Sequence, residues 1–171
     1  KYRVGGDLDK VLEGTRNIIK WKKKLKSRTP QVVWQFIVFR HNEEEIPELR
    51  KMARELGVDS VSIKTAQVYN FEENTDLIPR NEKYSRYRLV DGVYRIKNKL
   101  LNQCWRMWSG AVVTWDGKVV PCCFDKDAEH QMGEVAEENF NTIWKSEAYL
   151  RFRNSILKSR SEIEICKNCT E

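Results

Sequence analysis

The stretch Cys104-Trp-Arg-Met-Trp-Ser-Gly110-Ala-Val-Val-Thr-Trp115-Asp-Gly-Lys-Val-Val120-Pro-Cys122-Cys123, answered by Cys166-Lys-Asn-Cys169, decides how this chain is read. A Cys-x-x-Cys pair occupies one tight turn, from which both sulfurs reach a single metal centre while neighbouring amides fold toward them. Asp116-Gly117 separates two runs of β-branched and aromatic residues, a strong short-range hairpin signal. The spacing predicts a hairpin whose returning strand ends at Cys122, roughly opposite Ala111. Ser109-Gly110 permits a turn that brings Cys104 back toward that strand. Cys104, Cys122, Cys166 and Cys169 are therefore expected to meet. Adjacent side chains on a strand point to opposite faces, so Cys123 is expected to stay free; its replacing Cys122 is the alternative.

Working outward, the whole chain has five cysteines in 171 residues. An odd count, with no signal-peptide pattern at the N-terminus, favours metal-binding or reactive thiols over disulfides. No apolar run approaches the length that crosses a bilayer, and a cytoplasmic location is expected, with no membrane partner. The net charge of +6 divides among 31 basic and 25 acidic residues, a mild bias toward anionic partners. The run Lys22-Lys-Lys-Leu-Lys26 reads as the wet side of an amphipathic helix, and nucleic acid is not the expected partner. His41 and His130 are far apart and off ligand spacing. Gly5-Gly6 alone does not make a phosphate loop.

The first half alternates helix and strand. Asp7 is placed to cap a helix with Leu8, Val11, Leu12, Ile18, Ile19 and Leu25 at helical spacing. The almost unbroken apolar run Val32 to Phe39 predicts a strand buried on both faces of a parallel sheet. A second helix follows, with Pro47 in its first turn, Ile46, Leu49, Met52, Ala53 and Leu56 inward and Gly57 closing it. Val58 to Lys64 then forms another strand. Two strands are too few to cover that apolar run, so the chain is expected to be the C-terminal piece of a larger α/β protein. Periodicity fades from Gln67 to about Asn98. Beyond the hairpin, Phe140, Ile143, Trp144, Leu150, Ile156 and Leu157 mark a helical region, divided where Ser146 offers a cap.

Four thiolates hold either structural zinc or an iron-sulfur cluster, and their spacing alone leaves both open. The zinc alternative is a zinc-stabilised binding module whose basic helix contacts nucleic acid or an acidic partner. A further alternative is a fold held by its core, with reduced cysteines and no metal.

The pattern of a Cys, a dozen residues, a Gly, four residues and a Cys resembles the opening of the SPASM domain of radical S-adenosylmethionine (SAM) enzymes. Met132-Gly-Glu-Val135, Ile143-Trp-Lys-Ser146, Leu150-Arg-Phe-Arg153 and Cys166-x-x-Cys169 resemble the rest of it. Tyr2-Arg-Val-Gly-Gly6, Gln35 to Asn42 and Glu45-Ile-Pro47 resemble the second half of the partial (β/α)6 barrel of those enzymes. The fold class implied is α/β: residues 1–75 as a barrel fragment, 76–99 as a connecting segment, and 100–171 as a β-hairpin and helix domain of SPASM or shortened twitch type.

By that resemblance, Cys104, Cys122, Cys166 and Cys169 bind one auxiliary four-iron, four-sulfur (4Fe-4S) cluster, which accepts an electron from, or positions, a substrate radical. Trp105, Trp108 and Trp115 lie near enough in sequence to give it a dry shell, with simple packing of the hairpin as the more usual alternative. Arg3 falls where a basic residue meets the SAM carboxylate, and Gln35, a polar residue in an otherwise apolar strand, is expected either to face the barrel lumen or to be a hydrogen-bonded amide in the core. The implied parent is an oxidoreductase or modifying enzyme acting on a peptide or small molecule, served by an external electron donor. The three-cysteine loop that holds the SAM-cleaving cluster is absent from these residues, so the chain by itself is expected to be inactive.

Overall fold

Asp7 begins the order: its carboxylate accepts the amides of Asp9 (3.0 Å) and Lys10 (3.3 Å), satisfying donors that the first turn of a helix leaves open. Helix α1 (Leu8–Lys24) follows. The structure, a computed structural model, describes residues 4–169. The chain divides into two compact units, residues 1–95 and 96–171.

In the first unit, α1, β1 (Val33–Val38), α2 (Ile46–Leu56) and β2 (Ser60–Thr65) follow in order, and β1 pairs parallel to β2 with Phe36 beside Ile63. The buried stripe of α1 is Leu12, Thr15 and Ile19, spaced by three and four residues. Leu8, Val11, Ile18 and Leu25, read from the sequence as inward positions, are exposed. They lie on flanks of the helix that the two strands do not cover. Thr15 fixes the orientation: its hydroxyl bonds the Val11 carbonyl at 2.9 Å and accepts the Trp34 indole N–H at 3.3 Å. Lys22 leaves the wet side of α1 to reach Asp59 at 2.6 Å, and the same carboxylate oxygen accepts the Val32 amide at 2.6 Å. That junction seats the end of α1 against the start of the sheet. Gly57, at φ 86°, closes α2 in the left-handed conformation that costs glycine little.

The second face of β1 is open at Gln35 and covered toward its C-terminal end. There Phe39, Ala66, Val68, Ile78 and Tyr87 form a buried cluster. Residues 76–95, treated above as part of a connection, supply Ile78, the Tyr87 of β3 (Tyr87–Val90), and β4 (Val93–Ile96), paired with β3 across Asp91-Gly92. Polar anchors hold this aperiodic stretch. Tyr87 Oη accepts from the Val68 amide at 2.9 Å and donates to its carbonyl at 3.2 Å. Glu43 accepts the amides of Arg80 and Asn81.

The second unit is built on a three-stranded antiparallel sheet of β5 (Val112–Val113), β6 (Lys118–Val120) and β7 (Gly133–Glu134), in that order. Val112 faces Val120, so Cys122 lies two residues beyond the last paired position. Thr114 organises the turn, its hydroxyl bonding Asp116 (2.5 Å) and accepting the Lys118 amide (3.0 Å), with Gly117 at φ 91°. Two helices, α4 (Phe140–Trp144) and α5 (Glu147–Ser159), are capped by Asn139 and Ser146. The inward face of α5 is Tyr149, Phe152 and Ile156; Leu150 and Leu157 point to solvent. With Met107, Val119, Met132 and Ile143 these form the core of the unit. Arg153 fastens it, donating to the carbonyls of Met107 (2.9 Å) and Trp144 (3.0 Å) while its guanidinium lies 4.4 Å over the Trp144 ring and 4.6 Å from that of Tyr149.

Candidate metal centre

Each cysteine is delivered by a different device. Cys104 precedes the single-turn helix α3 (Arg106–Ser109), and its carbonyl accepts the Met107 amide at 3.2 Å, anchoring it to the most buried residue of that turn. Cys122 begins a turn closed by the Asp125 amide on its carbonyl at 3.2 Å. Asp125 is buried and holds the loop beyond, accepting the amides of Glu129 and His130, each at 2.9 Å. Cys166 and Cys169 lie at the two ends of a tight turn in which the Cys169 amide reaches the Cys166 carbonyl at 3.0 Å. Both are buried, whereas Cys104 and Cys122 are partly covered and Cys123 is exposed.

Charge on Cys169 bears on both Cys122 and Cys166. Burial pushes the Cys122 thiol up from its ordinary range, the amides of Phe124 and Asp125 pull it back, and negative charge on Cys123 or Cys169 raises it further. Burial likewise pushes Cys166 up to about 11, opposed by Arg160 and reinforced by Cys122 and Cys169. Cys104 joins through a cleft of about 520 Å³ whose walls include Cys104, Cys122 and Cys123. Among the described residues no group of three or more His, Cys, Asp or Glu side chains closes tightly enough for a single metal ion. A cubane sets a looser demand, because each thiolate binds a different iron.

The surroundings favour negative charge on sulfur. Two backbone N–H groups act on Cys122, and the Arg160 guanidinium donates to Cys169 Sγ at 3.1 Å. Two further donors, Arg160 Nε and Tyr149 Oη, are buried without a partner. Orphaned buried donors are costly in a protein interior. Tyr149, its hydroxyl pushed up to about 12 mainly by burial, also feels the charge of Cys122. A donor-rich, carboxylate-poor setting fits a thiolate-bound iron-sulfur cluster, whose sulfurs accept such bonds.

Residues 104–170 match the model of SPASM, an iron-sulfur cluster-binding domain. This stretch is similar to the SPASM domain. Among curated relatives, the tungsten-containing aldehyde ferredoxin oxidoreductase cofactor-modifying protein of Pyrococcus furiosus is 23% identical over 167 residues, covering 82% of this chain and 47% of that protein. The S-adenosyl-L-methionine-dependent 2-deoxy-scyllo-inosamine dehydrogenase of Niallia circulans is 26% identical over 150 residues, 86% of this chain and 55% of that protein. The chain spans about half the length of the curated relatives it matches. A crystal structure of BtrN in an open conformation aligns with a TM-score of 0.37 at 18% identity, covering 80% of this chain and 56% of BtrN. The chain is therefore similar to radical SAM-associated proteins, and its residues 104–170 to an iron-sulfur cluster-binding domain.

Trp105, Trp108 and Trp115 form neither a dry shell nor part of the buried core. Trp105 is 81% and Trp115 is 98% exposed, and Trp108 is exposed as well. Trp115 rides the tip of the SPASM hairpin, while Met107 takes the buried side of α3. Gln35 is exposed on β1 and lines a separate cleft of about 490 Å³ with Lys64 and Arg86. Arg3 lies outside the described residues. The sequence reading missed Arg160, Tyr149 and Asp125. Tyr149 was findable, since it precedes Phe152 and Ile156 at helical spacing; Arg160 and Asp125 sit in irregular segments where no period marks a buried position. No helix among the described residues is long and apolar enough to cross a membrane.

Proposed function

We propose that this chain is the auxiliary-cluster portion of a radical SAM oxidoreductase or modifying enzyme, with Cys104, Cys122, Cys166 and Cys169 ligating one 4Fe-4S cluster. The observation that supports the reading is geometric: Cys166 and Cys169 stand at the two ends of one tight turn, and Cys104 and Cys122 line one cleft, all within the stretch that matches SPASM. When bound, the cluster supplies a one-electron acceptor beside a substrate radical. The protein residues do the rest. The Cys166 to Cys169 turn presents two thiolates from buried positions, the Phe124 and Asp125 amides stabilise the Cys122 thiolate, and the core under α5 keeps water from that side.

In the same reading the first unit is half of a partial (β/α)6 barrel, and the open face of β1 carries Gln35 toward the SAM side, with Arg3 near the SAM carboxylate. The substrate is a peptide or small molecule, and an external donor returns electrons. The three-cysteine loop is absent from these residues, so SAM cleavage belongs to a longer parent protein.

Anaerobic reconstitution with iron and sulfide tests the assignment. A brown chain with about four irons, in line with ligation by four thiolates, is expected. A colourless chain carrying one zinc overturns it.

A further inference from the structure

Arg160 is 2% exposed, and its surroundings are unusual for a buried cation. One terminal nitrogen donates to the Gln103 carbonyl at 2.8 Å and the other to Cys169 Sγ at 3.1 Å, while its backbone amide donates to Asn102 Oδ1 at 3.0 Å. Asn102 donates in turn to the Lys158 carbonyl at 2.9 Å, so the start of the SPASM unit and the end of α5 are stitched together around this residue. Among the described residues no carboxylate forms an ion pair with it, and its Nε is buried without a partner. A guanidinium taken out of water without a counter-charge is strongly unfavourable. The charge it is placed to meet is sulfur: Arg160 opposes the rise in the Cys166 pKa as well as touching Cys169.

We propose that Arg160 is the positioning and charge-setting residue of the metal centre. It grips Cys169 and the peptide immediately ahead of Cys104 in one fork, and it raises the reduction potential of the cluster those cysteines hold. The inference rests on the cluster reading above.

Two physical effects act in the same direction. One-electron reduction adds negative charge to an already anionic thiolate-bound group, and a fixed positive charge in a low-dielectric interior favours that state more than it would in water. N–H donation to a ligand sulfur stabilises the reduced state as well. The planar fork of arginine makes both bonds at once, which the single ammonium of lysine cannot do.

The test uses the whole chain, reconstituted anaerobically as wild type, Arg160→Gln and Arg160→Lys. Iron and sulfide are counted, and the midpoint potential is followed by absorbance or electron paramagnetic resonance during a mediated titration. Arg160→Gln is expected to keep the wild-type iron content and to titrate at a more negative potential, with Arg160→Lys lying between the two. A charge-neutral packing role would leave the potential where it was. Equal potentials for wild type and Arg160→Gln, or a Lys variant shifted as far as the Gln variant, overturn the proposal. Should Arg160→Gln hold no cluster, Arg160→Lys decides: four irons with a potential more negative than wild type support the proposal, and a second loss of iron or an unshifted potential overturns it. A wild-type chain that takes up no cluster overturns the cluster reading itself, an outcome distinct from a loaded wild type with unshifted variants.

Discussion

Gly133 of β7 lies flat against Ile143 of α4, and a Cβ added to it would sit 2.9 Å from Ile143 Cγ1 and 3.0 Å from Cγ2. Ile143 is fully buried and β-branched, so it has little room to move aside. Gly133→Ala is expected to destabilise the second unit by about 1–3 kcal/mol, the usual cost of overpacking, read as a lower unfolding midpoint in denaturant.

Cys122 and Cys123 are neighbours in sequence and differ in surroundings, since Cys122 receives two amides and Cys123 is exposed. After anaerobic reconstitution, Cys122→Ser is expected to lose most of the bound iron and Cys123→Ser to keep it. Iron analysis reversing that order would reassign the ligand.

Arg153 satisfies two carbonyls and lies over two rings. Arg153→Met removes both hydrogen bonds and leaves their acceptors covered, for an expected loss of about 2–4 kcal/mol. Arg153→Lys recovers only part of it, because an ammonium cannot span both carbonyls. Thermal unfolding of the metal-free chain gives the comparison.

Tyr149 keeps a buried hydroxyl with no partner in the protein. Tyr149→Phe is accordingly expected to leave the stability of the metal-free chain within about 1 kcal/mol of wild type, since it discards an unmet donor while retaining the ring. A loss of several kcal/mol in equilibrium unfolding would count against this placement.

Asp59 contributes a pH dependence to the first unit. The Lys22 ammonium, then the Val32 amide, hold its carboxyl below the ordinary value of 3.8. A folded-state pKa below the unfolded one means that its contribution is fully present above about pH 4 and is lost as pH falls through the lower, folded value. Asp59→Asn is expected to lower the melting temperature at pH 7, and the variant and wild type are expected to converge in strong acid.

How much could be read from residues alone depended on whether a feature leaves a local trace. Asp7, Pro47 and Gly57 mark helix ends by chemistry that acts within one turn, and α1 and α2 lie where those signals put them. Hydrophobic spacing was less reliable on α1, because the two strands accept only the Leu12, Thr15 and Ile19 stripe; the remaining apolar residues satisfy the same period and stay exposed. Strand β7 escaped notice because two residues, one of them glycine, carry no alternation. At the candidate metal centre the cysteines stood out by spacing. Their supporting donors did not, since Arg160 and the Phe124 and Asp125 amides act from irregular backbone.

The core of the second unit, from Met107 to Ile156, is assembled from side chains alone and clamped by Arg153. Removing iron is therefore expected to leave that core in place, whereas small zinc modules collapse when stripped. Bleaching by air or a chelator becomes a reversible event on a standing scaffold: far-ultraviolet circular dichroism should hold steady as the brown colour fades, and the same molecules should recolour when iron and sulfide are returned.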